Sequence, residues 1–129
     1  MSILSNDIGK KGERMAVRYL KKQGFKILDT NRHQSHNEID IIACDREYLL
    51  FVEVKTRSLQ ETPSTFSDSA AAAVTRGKQW RTIRAAEAYM ARKDCLGKQP
   101  RMDVIEVYLE KGTKKLLHIN HIPNAYGKS

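Results

Sequence analysis

Cysteine, proline and tryptophan are scarce in this chain of 129 residues, with two, three and one of each. Cys44 and Cys95 are too few for a disulfide framework or a zinc ribbon, and two reduced thiols are the simpler reading. No apolar run approaches the roughly 20 residues that a membrane-spanning helix needs. The opening stretch Met1-Ser2-Ile3-Leu4-Ser5-Asn6-Asp7 has neither the basic region nor the apolar core of a signal peptide, so a cytoplasmic protein is expected. Glycine is sparse too, and Gly9 and Gly12 are not followed by the Gly-Lys-Ser/Thr run of a phosphate loop. That argues against nucleotide binding by such a loop. No internal repeat is present.

What the chain has in excess is positive charge. Lys and Arg number 23 against 15 Asp and Glu, for a formal net charge of +8 and a pI near 9.6. This balance favours polyanions, nucleic acid or an anionic membrane surface, without choosing between them. The length suits a single domain over residues 1–129, with a real hydrophobic core and no room for a second.

The most informative stretch is a pair of apolar runs, Glu38-Ile39-Asp40-Ile41-Ile42-Ala43 and Tyr48-Leu49-Leu50-Phe51-Val52-Glu53-Val54-Lys55, split by the polar turn Asp45-Arg46-Glu47. Runs this rich in Ile, Val, Leu and Phe read as central strands covered on both faces, where an unpaired charge is costly. Asp40, Glu53 and Lys55 nevertheless sit in them. Alternation puts Glu53 and Lys55 on one face with Leu49 and Phe51, and Val52 and Val54 on the other. With Arg46-Glu47 as a two-residue loop, Asp40 opposes Glu53 across an antiparallel pair; an odd loop or a bulge breaks that register. Granted the register, two carboxylates and an ammonium converge, which suits a shared divalent cation. The competing reading is a cross-strand ion-pair ladder, Glu38 with Lys55 or Glu53 with Lys55, that carries no chemistry.

Around this pair the chain reads in order. A helix is expected from Asp7 to Gln23, capped by Asn6 or Asp7 and stopped by Gly24. On it Glu13 precedes Val17 by one turn and Leu20 by two, hence on a core-directed side; a surface pair with Lys10 or Arg14 is the alternative. Phe25 to Thr30 alternates as a first strand, and a polar loop delivers the chain to Glu38. His33 and His36 in that loop are weakly spaced for metal ligation, and nearby carboxylates suit magnesium better. Residues 58–69, roughly, lack periodicity and read as a mobile loop placed to move over a substrate. Ala70 to Val74 favours helix, but Thr75 as a cap starts the main helix afresh, from Arg76 to Arg92. There Trp80, Ile83, Ala86 and Met90 form the expected core stripe with Gln79 on its edge, while Lys78, Arg81 and Arg92 form a basic face. Trp80 is thus read as core rather than as a base-stacking platform. Two more strands are expected at Arg101 to Leu109 and Leu116 to Ile119, turned by Gly112. Asp103 is expected to pair with Arg101, and the tail from Pro123 to Ser129 to be partly loose.

Asp40, then a turn, then Glu53-Val54-Lys55 resembles the Asp, Glu-x-Lys core of the PD-(D/E)xK nucleases, the restriction-endonuclease-like superfamily. A wider set is similar, in order and over nearly the whole chain, to the YraN family of small bacterial proteins. It comprises Gly12-Glu13, Asn31-Arg32, Glu38-Ile39-Asp40, Phe51 through Arg57, Ala73-Val74-Thr75 with Lys78, and Arg101 through Ile105. That family is similar to archaeal Holliday junction resolvases. Asn37 stands where the family usually has Gly, and Ile39 replaces the Pro of the superfamily's name; neither change removes a ligand. The resemblance implies an α/β, restriction-endonuclease-like fold, a central mixed sheet of about five strands flanked by helices. It implies Asp40, Glu53 and the carbonyl of Val54 as ligands for Mg2+ or Mn2+. It also implies Glu13 as a further acid approaching from the first helix, and Lys55, close to that metal, is expected either to orient or deprotonate the attacking water or to act as a cation for the transition state.

The expected function is a metal-dependent endonuclease that hydrolyses DNA phosphodiester bonds and selects structure, branched or junction DNA, rather than sequence. Arg32, Arg57, Lys78, Gln79 and Arg81 are the expected nucleic-acid contacts, and phosphate contacts of this kind give affinity and salt dependence without base specificity. The alternative is a non-catalytic nucleic-acid-binding or adaptor protein that keeps the nuclease fold. Membrane binding is disfavoured, because the basic helix lacks a bulky apolar wedge. Junction-resolving folds are often dimeric, so a homodimer is compatible with the resemblance, although no apolar patch in the sequence marks an interface.

Overall fold

The structure, a computed structural model, describes residues 3–30, 39–59, 74–92 and 97–127, with side chains of the first helix described from residue 8 onward. Helix α1 (Ile3–Lys22) leads into β1 (Lys26–Thr30), β2 (Ile41–Cys44) and β3 (Tyr48–Leu59), and helix α2 (Arg76–Arg92) precedes β4 (Gln99–Glu110) and β5 (Leu116–Tyr126). The strands form one sheet in the order β1-β2-β3-β4-β5. Every neighbouring pair is antiparallel except β3 with β4, which run parallel. A parallel pair needs a crossover connection, and α2 lies within it. This mixed sheet flanked by two helices is the α/β architecture expected of the restriction-endonuclease-like fold.

The sheet is organised by β3, whose Leu49, Leu50, Phe51 and Val52 are all fully buried. Alternation divides them between two layers. Leu50 and Val52 join Ile41, Ala43, Ile105 and Val107 beneath Ala16 and Leu20 of α1. Leu49 and Phe51 join Ile42 and Met102 beneath Ala86 of α2. Each large apolar side chain buried this way contributes roughly 1.5–3 kcal/mol, which is why the run tolerates no misregister.

Helix α1 ends in a left-handed Gly24 with φ 98°. The Gly24 amide donates to Lys21 and the Phe25 amide to Leu20, a Schellman closure that only glycine makes without strain. Its start differs from expectation. Asn6 and Asp7 lie inside the helix, which begins at Ile3, because their preference for cap positions is worth less than continuing the helix. Strand β3 also outruns the expected end at Lys55, since Thr56 to Leu59 pair with Val107 to Glu110 of β4. Ser58 and Leu59 are therefore strand, while residues 60–69 of the expected loop lie outside the described residues. The tail is corrected as well. Strand β5 runs through Tyr126, which pairs with Met102, and the ladder absorbs Pro123 and Asn124 by a register shift between Met102 and Val104.

Helix α2 has the expected bounds, and Thr75 caps it, its Oγ1 accepting from the Lys78 amide at 3.1 Å. Its stripe, however, is rotated. Thr82 and Ala86 are the buried positions, with Ile83, Tyr89 and Met90 beside them, while Trp80 is 60% exposed. Trp80 stands about 200° around the helix from Thr82. Small Thr and Ala side chains let the helix approach the sheet, and a hydropathy reading passes over Thr in favour of the bulkier Trp. No described helix is long and apolar enough to cross a membrane.

Candidate active site

The turn that decides the register has the expected form. Asp45 donates its amide to the Tyr48 carbonyl, and its Oδ1 accepts from the amides of Glu47 and Tyr48 at 2.8 and 2.7 Å, leaving Arg46-Glu47 as a two-residue loop. These amides, that of Tyr48 foremost, hold the Asp45 carboxyl below its usual range. Ile41 then faces Val52 and Cys44 faces Leu49, which carries Asp40 to the level of Glu53.

Asp40 is a bend at the entrance to β2, and its main chain departs from the ladder there. Its amide donates to the Val52 carbonyl at 3.1 Å, and its side-chain Oδ2 accepts from the Val54 amide at 2.8 Å. A carboxylate thus takes the ladder position that a main-chain carbonyl fills in a regular pair. Burial pushes the Asp40 carboxyl up to about 7, against the Val54 hydrogen bond; the negative charges of Glu53 and Glu13 push the same way, and Lys78 opposes them. Burial is the dominant cause, and like charges add to it.

The other groups arrive from three elements. β2 has four residues and β3 twelve, so beyond Val52 the described neighbour of β3 is β4 alone, and both faces of the sheet open onto one edge. From the α1 face, Glu13 lines a cleft of about 450 Å³ together with Asp40, Glu53, Val54, Thr56 and Ser58. Gly12 makes this possible, because a Cβ there would overlap the Thr56 hydroxyl; its absence seats the helix on β3. From the α2 face, Lys78 Nζ lies 3.8 Å from one Glu53 oxygen, and Lys55 Nζ lies 3.5 Å from the other. Asp40, Glu53, Val54, Lys55, Lys78 and Glu13 are therefore brought together. Among the described residues no three of His, Cys, Asp and Glu close on one point as a ready-made metal cage. The carboxylates that line the cleft are Glu53 from β3, Asp40 from the bend before β2 and Glu13 from α1.

The remaining predicted residues fare differently. Lys78 does not lie on the solvent face of α2 but turns to Glu53. Gln79 donates to the Val74 carbonyl at 2.9 Å. Arg57 is held by Glu106, its Nε 3.2 Å from Oε2. Glu106 is itself buried and accepts from the Tyr108 hydroxyl and the Asn120 amide. Arg81 stands exposed on α2. Arg32, with His33, His36 and Glu38, lies outside the described residues.

Tyr126 and Glu106 went unread in the sequence. Burial pushes the Tyr126 hydroxyl up, and the charges of Glu53 and Asp40 push it further, so it belongs to the surroundings of the cleft. It lies in the stretch taken for a loose tail, and nothing local marks it. Asp103 is the expected partner of Arg101, with two hydrogen bonds at 2.9 and 2.8 Å, and it also meets His121 at 2.7 Å and the Asn124 amide at 3.0 Å. Burial opposes its ionisation, but these donors win and hold its carboxyl below the usual range. Tyr19 of α1 completes the group through His121 Nδ1 at 2.9 Å. The group ties α1 to β4 and β5, at a different place from the acidic cleft.

Close relatives are spread across bacterial lineages. A protein of Chlorobium phaeobacteroides is 40% identical over 129 residues, covering 98% of both chains. One from Caldanaerobacter subterraneus is 40% identical over 119 residues, covering 92% of this chain and 93% of its own. One from Geobacter metallireducens is 37% identical over 126 residues, covering 98% and 97%. All three are described as UPF0102 proteins. The family model matches residues 12–107, from the glycine that seats α1 to the last third of β4 and across every described residue of the cleft from Gly12 onward. By the extent of that match and of those relatives, the chain belongs to the uncharacterised protein family UPF0102.

Proposed function

We propose that this protein is a divalent-metal-dependent endonuclease that cuts DNA and selects its substrate by structure rather than by sequence. One observation carries the reading. Asp40, Glu53 and Glu13 share a cleft, and burial above all, with the charges of Glu53 and Glu13 adding to it, pushes the Asp40 carboxyl up to about 7, so ionising Asp40 in place is costly. A cation is the direct remedy, and an all-oxygen donor set suits a hard one such as Mg2+ or Mn2+. Asp40, Glu53 and the Val54 carbonyl would hold it. The chemistry such an ion supplies is neutralisation of phosphate charge and acidification of water.

The chain's own groups do the rest. Lys55 sits at the rim of the cleft with its side chain 30% exposed, where it can orient or deprotonate an attacking water and offset charge developing on the phosphate. Lys78 shares Glu53 with it and supplies a second cation when the carboxylate is drawn to a metal. Arg57, which Glu106 holds, and Arg81 would contact phosphates; such contacts give affinity without base reading.

A second reading has one observation in its favour. Glu53 is already engaged by two lysines, and among the described residues no ready-made metal cage closes, as in a protein that binds nucleic acid through this surface without turnover. Both are tested by incubating the protein with branched, flapped, single-stranded and duplex DNA in Mg2+ or Mn2+, beside Asp40→Asn and Lys55→Ala. Cleavage by the wild type that disappears in both variants is expected. Cleavage that survives both removes the assignment, and tight binding with no cleavage by the wild type selects the second reading.

A further inference from the structure

We infer that Trp80 is a stacking platform for an unpaired nucleobase, so that the protein grips nucleic acid through an exposed base as well as through phosphates. The inference rests on the reading of the cleft as a nucleic-acid site and names the substrate class, strands with unpaired bases.

Trp80 is the most exposed large apolar side chain among the described residues, at 60%. Its position is fixed from one side, since the Arg84 guanidinium carbon lies 4.8 Å from the ring centroid. One ring face thus carries a cation, and most of the residue remains open to solvent. An indole held this way loses little freedom on stacking, and the cation strengthens it as a partner for the π face of any base.

The surroundings say which partner fits. From Arg76 to Ala86 helix α2 carries Arg76, Lys78, Arg81 and Arg84 and no acid. Arg76 and Lys78 lie in the first turn, where a cation opposes the helix dipole and costs helix stability. With Arg81 and Arg84 they make a basic surface that suits a polyanion. Arg76, Trp80 and Arg84 share one side of α2 at four-residue steps, while Lys78, which reaches Glu53, lies two residues and about 200° away on the other. A strand leaving the cleft past Lys78 reaches the ring by passing around the first turns of α2.

In duplex DNA both faces of each base are already stacked, so an intact duplex has nothing to give Trp80, whereas a flap, a single strand or an open junction has. A lipid surface fits less well. Besides Trp80, the exposed uncharged residues of α2 are Gly77, Ala88 and Ala91, and interfacial helices need several bulky apolar side chains.

The chain has a single tryptophan, so its intrinsic fluorescence reports on this position alone and needs no catalysis. The full-length protein in EDTA is titrated with oligothymidylate, a flapped duplex and a blunt duplex, with anisotropy of labelled DNA as the measure of binding and anionic phosphatidylglycerol vesicles as a further arm. Quenching by oligothymidylate and the flap, but not by the blunt duplex, is expected. Trp80→Ala should weaken oligothymidylate binding about five- to hundredfold, and Trp80→Phe should restore most of it. Emission unmoved while oligothymidylate binds, or equal quenching by blunt duplex, overturns the platform and leaves the nuclease reading standing. A blue shift with vesicles alone overturns it in favour of a lipid surface. Absence of binding to any DNA overturns both.

Discussion

Gly12→Ala tests how α1 is seated against the sheet and, with it, why Glu13 faces the cleft. Gly12 is buried where α1 crosses β3 at Thr56. A Cβ added there would overlap the Thr56 hydroxyl and stand 2.9 Å from both Thr56 Cβ and Cγ2. Carbon atoms pack comfortably at about 3.5–4.0 Å, so α1 must retreat by roughly 1 Å. Thr56 offers little relief, because its Cβ is fixed to the strand and its χ1 is restricted. The retreat also loosens Ala16 and Leu20, fully buried at four-residue steps along the same stripe. Overpacking of this kind costs about 1–3 kcal/mol, while replacing a helical glycine by alanine returns about 1 kcal/mol. The single substitution therefore destabilises by at most about 2 kcal/mol, and the coupling to Thr56 is the sharper measure. In a Thr56→Gly background the obstacle is gone, so Gly12→Ala should stabilise, and the cycle should show a coupling of about 1–3 kcal/mol. Thr56→Ala keeps the Cβ and should recover only part. Urea unfolding of the four proteins at a common slope gives the cycle. A coupling below about 0.5 kcal/mol, the scatter of independent sites, would refute the contact and the seating of Glu13 built on it.

Three further outcomes follow from the buried charges. The folded pKa of Asp40, about 7, lies above its unfolded value, so the folded state holds the extra proton between roughly pH 4 and 7; metal-free stability should fall across that window by an amount on the order of 4 kcal/mol. Thermal melts in EDTA should show this slope in the wild type and lose it in Asp40→Asn. Asp103 has the opposite sign: its lowered pKa makes a contribution present above the unfolded value and lost as pH falls through the folded one, measurable as an acid limb below about pH 4. Asp103→Ala, by leaving Arg101 and His121 without their carboxylate, should cost about 3–5 kcal/mol in urea unfolding. Glu106→Ala should cost about 1–3 kcal/mol by orphaning the buried Tyr108 hydroxyl, with Glu106→Gln between it and wild type by the same measurement.

The central hairpin was the most legible part, because its physics is local. An even, two-residue turn and strict alternation suffice to put Asp40 beside Glu53 and to divide Leu49 and Phe51 from Leu50 and Val52. The cap at Thr75 and the stop at Gly24 were readable for the same reason. Reading failed where tertiary packing decides. The rotation of α2 depends on a close approach at Thr82 and Ala86, which hydropathy ranks below Trp80. The length of β3 depends on β4 lying alongside it, some forty residues later in the chain. Lys78 turned inward because Glu53 was there to meet it, and no helical wheel contains Glu53. Tyr126 and Glu106 were missed because each acquires its role only through strands that the topology brings together.

The cleft also sets a sign that separates the two functional readings. At long range a net charge of +8 draws a polyanion, but within a Debye length, about 8–10 Å, the local groups decide. There Lys55 and Lys78 are both committed to Glu53, and an ionised Asp40 repels phosphate. On the two proposed readings a phosphate in the cleft would meet Asp40 in one of two states, protonated and donating a hydrogen bond or ionised and holding a cation. The first weakens as pH rises through about 7, and the second strengthens. DNA affinity of a cleavage-silent Lys55→Ala protein, measured by anisotropy from pH 6 to 8, should rise with pH in Ca2+ or Mg2+ and fall with pH in EDTA. A slope that is negative under both conditions means that no cation stands between Asp40 and the phosphate, and the metal-dependent nuclease gives way to the binding protein. Slopes of opposite sign, both removed by Asp40→Asn, tie the metal and the nucleic acid to the same carboxylate.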